Sequence, residues 1–267
     1  MLDEEQGGRT EATVHHGSIW PFVVGFGAAI GYAGLVAGIG ILLLGLTIFV
    51  VGLVGWLRVD LRTPSRPYYG ALPALPGVAR VSARKLGTWL FLATEIMFFT
   101  VIIGASWNVR MRTGNWAAPG EILNVPLTGI NTFILIISSL TMVEALASIE
   151  RGDVRKLRLF LLATLLLGVT FISIQASEYI KLFLFDGLTF STAPNGVNPL
   201  YGATFYVQTG VHGSHVLGGI LAMTYATRKA FGGHFTKENH EAVELIGLYW
   251  HFVDVVWIFL FTIVYLL

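Results

Sequence analysis

The sequence predicts an all-α, polytopic membrane protein with seven transmembrane helices. Charged residues make up only 12% of the 267 residues, about half the share found in soluble domains, and the mean hydropathy is +0.70. No residue between Ile19 and Leu57 is charged. Most Lys and Arg residues also lie in every second predicted loop. These three observations predict the environment, the number of spans and their orientation.

Composition also excludes several classes of protein. The chain has no cysteine, so it forms no disulfide, thiolate metal site or cysteine nucleophile. A formal net charge of +1 argues against a nucleic-acid partner. The N-terminal segment 1–18 has no basic stretch followed by a short apolar run, so it is not a signal peptide. We expect it to be a disordered cytoplasmic leader.

The first two helices come from the uncharged stretch 19–57. Its 39 residues exceed the roughly 17–25 residues that one span needs, so the stretch must fold back on itself. Glycines at 31, 34, 38 and 40 mark the position of a tight turn. We predict helix 1 at 19–36 and helix 2 at 39–57. The segment 58–85 is rich in Pro and Arg and should form a cytoplasmic loop.

Five further apolar stretches complete the predicted bundle, which occupies 86–267. Short polar or charged segments separate them, including the turn 150–158 and the loop 186–200 with its Gly, Pro and Asn residues. The predicted helices 3 to 7 cover 86–109, 127–149, 159–184, 201–227 and 242–265.

The distribution of basic residues predicts the orientation. With the N-terminus inside, 14 of the 17 Lys and Arg residues fall in inside segments. The positive-inside rule therefore favours a cytoplasmic N-terminus, an external C-terminus and an odd number of spans.

Ionisable side chains within the spans are candidates for function, because a charge is costly inside a bilayer. They are Glu95, Glu144, Glu178, His212, His215, Glu244, His251 and Asp254. Glu95 lies about two and a half turns into helix 3. Two interpretations are open: a proton-handling or lipid-facing carboxyl, or a hydrogen bond between two helices.

His212 and His215 are three residues apart and share one face of helix 6. With His251 and Asp254 on helix 7 they could hold a metal. The alternative, which we favour, is that these groups hydrogen-bond to neighbouring helices that small residues allow to approach closely.

Three further candidates lie near the predicted inner surface. Arg228 could bind lipid phosphate or serve only as a topology signal. His240 lies in a loop, where most histidines are solvated. Trp56 fits an interfacial aromatic belt.

The sequence has no Gly-x-Ser-x-Gly, His-Glu-x-x-His or P-loop motif. From the residues alone the prediction is a seven-helix membrane protein with a polar cluster among helices 3, 6 and 7.

Four segments together resemble cytochrome c oxidase subunit III. They include Leu-Phe-Leu-Ala-Thr-Glu-Ile-Met-Phe-Phe and Gln-Ala-Ser-Glu-Tyr, and their order and spacing match along helices 3 to 7. The segments are 90–99, 175–179, 201–216 and 249–260.

The resemblance implies a two-helix pair and a five-helix bundle separated by a lipid-filled cleft. It also implies a non-catalytic subunit of a haem–copper oxidase that packs on subunit I, alongside subunit II and other subunits. In that family haem and copper lie in partner subunits, while subunit III binds structural phospholipid and supports proton uptake. We expect a prokaryotic plasma-membrane protein in aerobic respiration.

The resemblance further implies individual roles. Glu95 matches the family's carbodiimide-reactive carboxyl, and Arg228 matches a phospholipid headgroup contact. Lipid binding or proton handling is the expected role of the candidates Glu95, Arg228, His212, His215, His240, His251, Asp254 and Trp56. The sequence departs from the family at Glu144, near the usual position of a histidine pair, and at Thr63, where a lipid-binding carboxylate is expected.

Other functions stay open at this stage. The chain could be subunit III of a quinol oxidase or a nitric oxide reductase-associated homologue. The hairpin 19–57 favours the cytochrome c oxidase type, because some quinol-oxidase versions lack it. Less favoured alternatives are an intramembrane metalloenzyme using His212, His215 and His251, and a transporter.

Overall fold

A computed structural model describes residues 18–62 and 82–267 of the chain. Within these ranges it has seven α-helices and no other regular element except a closing π-helical turn, which confirms the all-α class. The helices are α1 (Trp20–Ala37), α2 (Ile39–Arg62), α3 (Ala83–Arg112), α4 (Val125–Glu150), α5 (Val154–Leu184), α6 (Leu200–Phe231) and α7 (Glu241–Phe261), and the π-helix covers Thr262–Leu266.

Five of these helices are long and apolar enough to cross a membrane: α2, α3, α4, α5 and α7. Helix α1 has a shorter apolar stretch among its described residues, Trp20–Gly31. Helix α6 is long enough but carries many polar side chains, and several of them are buried inside the bundle. Five apolar spans in one chain make the protein an integral membrane protein.

The helices extend further than predicted at several ends. Helix α5 begins at Val154 rather than at 159, because the Asp153 side chain accepts a hydrogen bond from the Lys156 N–H and caps it. Helix α3 begins at Ala83, because the Ser82 hydroxyl accepts from the Lys85 N–H. Helix α2 continues to Arg62. The leader residues 1–17 and the loop residues 63–81 lie outside the described residues.

Helices α1 and α2 form a hairpin whose turn is the single residue Gly38, which has a φ of 121°. The two backbones approach closely along the hairpin. A methyl group at Gly34 would overlap the Leu42 backbone, and one at Gly45 would overlap the Gly31 backbone. Close backbone approach at small residues is a main source of helix association in lipid, where apolar burial adds little.

Helices α3 to α7 belong to a second compact unit. In this bundle α4 to α7 surround the core, while α3 packs against α6 and α7 and stays largely exposed. The predicted cleft between the two-helix pair and the bundle stays a prediction.

Trp250 of α7 fixes the centre of the bundle. Its ring lies against Gly168 of α5 and Gly219 of α6, and its indole N–H donates to the Ser138 hydroxyl of α4 at 3.0 Å. One buried side chain therefore contacts three neighbouring helices. Trp257, two turns along α7, donates in the same way to Thr132 at 2.9 Å.

Candidate functional site

Glu95 of α3 pairs with His215 of α6. Glu95 Oε2 lies 3.1 Å from His215 Nε2, and the two side chains are 17% and 19% exposed. Of the two interpretations of Glu95, the link between two helices is therefore present in the structure. The proposed roles in lipid and proton handling rest on other arguments.

The contacts around His215 restrict where protons can be. His215 Nδ1 lies 2.8 Å from the Val211 carbonyl, which can only accept, so Nδ1 carries a proton in this contact. The hydrogen bond from Nε2 to Glu95 then needs one further proton, on either the imidazole or the carboxyl. Tyr249 donates to the His215 carbonyl at 3.0 Å, and the Phe99 ring packs edge-on against the imidazole. The pair can thus hold one shared proton between α3 and α6.

His212 has different surroundings from His215. It is fully buried, stacks on Trp257 with ring centroids 4.8 Å apart, and meets the edge of Phe171. Neither ring nitrogen has a hydrogen-bond partner among the described residues. Side chains three residues apart on an α-helix point in directions about 60° apart around its axis, so the two histidines contact different neighbours.

His251 points to a third place. Its Nδ1 lies 2.5 Å from the Ser139 hydroxyl of α4. Since His212, His215 and His251 contact different neighbours, they do not converge as a metal centre. Across residues 18–62 and 82–267, no group of three His, Asp or Glu side chains is close enough to hold a metal.

Asp254 lies one turn beyond His251 and is only 4% exposed. Neither of its carboxyl oxygens has a hydrogen-bond partner among the described residues. An uncompensated carboxylate is costly in a membrane interior, so this residue needs an explanation.

A second buried carboxyl, Glu178 of α5, was one of the candidates within the spans but was not among those assigned to lipid or proton roles. It accepts hydrogen bonds from Tyr265 at 2.9 Å, Gln175 at 3.0 Å and Thr128 at 3.3 Å. Tyr265 reaches it from the π-helix, a conformation that often marks functional positions. The sequence signal was present, because Gln175 and Glu178 lie in one of the segments that carry the family resemblance.

The N-terminal ends of α3 and α7 are joined by polar contacts. Lys85 pairs with Glu244, and Ser82 donates to Glu241. Glu244 was counted among the residues within the spans, but it lies in the first turn of α7 beside a lysine. His240 is the residue before α7, and its Nδ1 is buried without a partner among the described residues.

The remaining candidates lie at the surface of their units. Arg228 is exposed near the C-terminal end of α6, beside Lys229, whose ammonium group lies over the Tyr225 ring. Trp56 of α2 is 43% exposed. Glu144 of α4 faces outward and pairs with Arg151 at 3.6 Å, which provides its charge with a partner at the C-terminal end of the helix.

A long apolar groove runs along the C-terminal parts of α3 and α7. Its volume is about 960 Å³. Its lining extends from Leu248 and His251 towards Trp107 and Leu267. Phe99, which packs on His215, also lines it, so the Glu95–His215 pair lies next to the groove.

These features define a class of protein: an integral membrane helix bundle whose buried polar groups mostly bond one helix to another. Comparison with known proteins places the chain more narrowly. The sequence profile of the family described as cytochrome c oxidase subunit III matches residues 14–267. The chain belongs to the cytochrome c oxidase subunit III family.

Individual relatives agree. The chain is 36% identical over 181 residues to the probable cytochrome c oxidase subunit 3 of Mycobacterium leprae, which covers 68% of this chain and 86% of that protein. It is 37% identical over 184 residues to cytochrome c oxidase subunit 3 of Corynebacterium diphtheriae, with the same coverage. Quinol oxidase subunit 3 of Bacillus subtilis is 34% identical over 182 residues, again with 68% and 86% covered. The chain is therefore a subunit III of the haem–copper oxidase type and works within an oxidase complex.

Proposed function

We propose that this chain is the non-redox subunit III of a haem–copper terminal oxidase and that it stabilises the catalytic subunit. The observation that supports this best is the separation of its three intramembrane histidines. His215 bonds to Glu95, His251 contacts Ser139 and His212 packs among aromatic rings, so none of them is arranged as a haem or copper ligand. The residues present do not fit either redox group, and in this proposal both groups belong to partner subunits.

We further propose that the exposed face of α3 and the groove beside α7 take up phospholipid chains. The groove is lined almost entirely by apolar side chains, which suit an acyl chain and would be poorly placed in water. At the inner surface, Arg228 and Lys229 can attract a lipid phosphate. Trp56 suits the headgroup level at the inner end of α2.

The partner that we propose for direct packing is subunit I, with subunit II and other subunits in the same complex. Helix α4 presents a row of exposed apolar side chains together with the outward-facing Glu144–Arg151 pair. The proposed orientation, in a prokaryotic plasma membrane with the N-terminus inside, follows from the distribution of basic residues.

The electron donor of the complex is a further proposal. Relatives named for cytochrome c and for quinol have nearly the same identity to the chain, 36% and 34%. We propose cytochrome c on the presence of the two-helix hairpin α1–α2, while the relatives of both kinds cover the same 68% of the chain and do not separate the two donors.

Copurification tests the proposed function. A tagged chain should bring down a partner that shows haem absorption and contains copper, at a fixed ratio to the chain. Oxidation assays of the purified complex with reduced cytochrome c and with quinol then identify the donor. A chain that purifies in mild detergent without any haem-bearing partner would contradict the proposal.

Glu95 provides a test of the proposed lipid and proton role. Glu95→Ala removes the shared proton site beside the groove, while α3 keeps its contacts with α7. We expect the complex to assemble but to retain less phospholipid or to lose activity faster during turnover. The measurements are phosphorus per haem and the decay of oxygen consumption, and Glu150→Gln, an exposed carboxyl at the end of α4, is the control. Unchanged lipid content and unchanged decay in Glu95→Ala would remove Glu95 from the site.

A further inference from the structure

A small pocket leads from the surface of the bundle to the buried side chain of Glu178. Its volume is about 70 Å³, which is room for more than one water molecule. Three polar residues of its lining are exposed: Asn124, Ser177 and Lys181. Glu178 also lines the pocket but is only 6% exposed. The pocket therefore joins an enclosed carboxyl to an open, polar rim.

The rim of this pocket lies at an end of the bundle and not at its middle. Asn124 is the N-cap of α4 and directly follows the loop from α3. Lys181 lies about one turn before the end of α5, and its ammonium group pairs with Asp186 of the next loop at 3.2 Å. A charged pair at a helix end belongs at the level of water or headgroups, because charge is costly deeper in the bilayer. Water at this rim is the proton source for the pocket.

The two carboxyl oxygens of Glu178 have different partners. Oε2 accepts hydrogen bonds from the Tyr265 hydroxyl at 2.9 Å and from the Gln175 amide at 3.0 Å, and both donors are buried. Oε1 has its hydrogen bond with the Thr128 hydroxyl, at 3.3 Å. No Lys or Arg of residues 18–62 and 82–267 forms an ion pair with either oxygen. Because two donors occupy Oε2, Oε1 is the oxygen that can take a proton.

Thr128 can keep Oε1 bonded in both protonation states of Glu178. Its hydroxyl lies 3.0 Å from the Asn124 carbonyl as well as 3.3 Å from Oε1. A hydroxyl has one proton to donate and can accept at the same time. When Glu178 is ionised, the Thr128 hydroxyl donates to Oε1. When Oε1 is protonated, it donates to the Thr128 oxygen, and the Thr128 proton turns to the Asn124 carbonyl. The carboxyl can therefore gain or lose a proton without any movement of the helices.

We propose that Glu178 is a proton-binding site that exchanges with water through this pocket. A hydronium ion in the pocket gives its proton to Oε1 and becomes water, while the Thr128 hydroxyl turns from Oε1 to the Asn124 carbonyl. The carboxylate becomes a neutral carboxyl, so one proton is gained, and the reverse sequence returns it to water. The site is separate from Glu95, whose partner is His215 on another helix. Glu178 thus stores a proton close to one end of the bundle.

The other titratable groups around Glu178 do not replace it as the proton acceptor. On α4 the residues that contact the pocket or the carboxyl, Asn124, Leu127 and Thr128, do not titrate. Phenols are neutral at physiological pH, and those that interact with Glu178 are Tyr179, Tyr201, Tyr206 and Tyr265. The charged groups at this end have their own contacts: Lys181 with Asp186, and Glu121 with the Ala118 N–H.

Infrared spectroscopy of the purified complex tests the site. A protonated carboxyl has a carbonyl stretch that the ionised form lacks, and the band that disappears in Glu178→Gln belongs to Glu178. We expect this band to exchange quickly in heavy water. Ser177→Phe places a ring in the pocket and should slow the exchange roughly tenfold or more, because exchange then needs a local opening of the helices. Ser173→Phe is the matched control, since Ser173 is exposed one turn earlier on α5 and does not line the pocket.

Two further variants test which oxygen takes the proton. Tyr265→Phe removes a hydrogen bond to Oε2, so the carbonyl band of Glu178 should shift to higher frequency. Thr128→Val leaves Oε1 without its partner and should shift the band, while Thr128→Ser keeps the hydroxyl and should leave it in place.

Two results would overturn the proposal. One is the absence of a Glu178-dependent carboxyl band at every pH at which the complex is intact, and the other is equal exchange in Ser177→Phe and Ser173→Phe. Haem absorption verifies assembly of each variant, and Leu127→Trp obstructs the pocket from α4 if Ser177→Phe does not assemble. Failure of this site is distinguishable from failure of the proposed function, because copurification and the Glu95→Ala measurements do not involve Glu178.

Discussion

At the scale of single residues, Trp250 is tightly packed against glycines of two neighbouring helices. A Cβ atom built on Gly219 would lie 2.7 Å from the Trp250 ring, and one on Gly168 would also lie 2.7 Å from it. Real carbon atoms do not approach so closely, so either position requires glycine while Trp250 keeps its place. The indole also has its hydrogen bond to Ser138, which fixes the ring in one orientation.

Substitution at Gly219 tests this packing. Gly219→Ala should lower the free energy of unfolding by about 1–3 kcal/mol, because the ring or the helix must shift to admit a methyl group. Gly213→Ala on the same helix is the control. Its Cβ would lie 3.6 Å from the Ile172 side chain, an ordinary contact, so it should be neutral or should stabilise by up to about 1 kcal/mol. Denaturant unfolding in detergent measures both, and equal effects of the two changes would contradict the packing described.

Individual contacts were only partly predictable from the sequence. Glu95, His215, His251 and Asp254 stood out because charge is rare within a span, yet their partners depend on helix rotations that one sequence does not determine. Ser139 carried no signal, since a serine in an apolar helix commonly bonds to its own backbone. Its contact with His251 follows only from its position opposite α7.

At the scale of elements, the start of α5 illustrates how one cap moves a boundary. Asp153 accepts a hydrogen bond from the backbone N–H of Lys156, and this bond, more than the nearby Lys156 ammonium, lowers the pKa of its carboxyl below the ordinary value of 3.8. The lowered pKa means that the ionised Asp153 cap stabilises the folded state at pH values above the ordinary pKa. The stabilisation is lost as the pH falls through the lower, folded-state pKa.

The pH dependence of Asp153→Ala tests this cap. The variant should unfold at a lower temperature than the natural chain near neutral pH, and the gap should narrow as the pH falls below about 4. Asp153→Asn keeps a capping oxygen without a titrating group, so its gap to Asp153→Ala should not depend on pH. Thermal unfolding in detergent at several pH values provides the comparison. A gap between Asp153→Ala and the natural chain that is the same at neutral and acidic pH would contradict the assignment.

Helix α6 marks the limit of prediction at this scale. Its mean hydropathy is lowered by polar residues such as Gln208, Thr209 and His212. These side chains face the interior of the bundle and not lipid. The sequence prediction still placed the helix, since its flanking loops and the alternation of basic residues required it. Helix number was therefore better predicted than helix ends, which depend on local caps such as Ser82 and Asp153.

At the scale of the whole molecule, orientation is the largest untested feature, and the absence of native cysteine makes it easy to measure. Ser191→Cys lies in the exposed loop between α5 and α6, and Glu238→Cys in the loop between α6 and α7. We expect a membrane-impermeant maleimide to label the first in intact cells and the second only after permeabilisation, because the positive-inside rule predicts that the loop between α6 and α7 is cytoplasmic. The opposite pattern would reverse the topology.

The overall architecture was predictable in type but not in arrangement. Composition and the uncharged stretch 19–57 indicated a helical membrane protein that starts with a hairpin, and both features are present. The packing within the bundle depends on contacts such as those of Trp250 with glycines of two other helices. Those contacts leave no periodic pattern in a single sequence.

The central claim is that the buried polar groups of this chain bond helices together and hold protons, while redox chemistry takes place in a partner subunit. The most direct test is to purify the complex, dissociate the chain with stronger detergent, and measure haem, copper and other metals in each fraction. The account predicts that haem and copper stay with the partner fraction and that the separated chain retains none. A stoichiometric metal or haem on the separated chain, lost on His215→Ala, would contradict it.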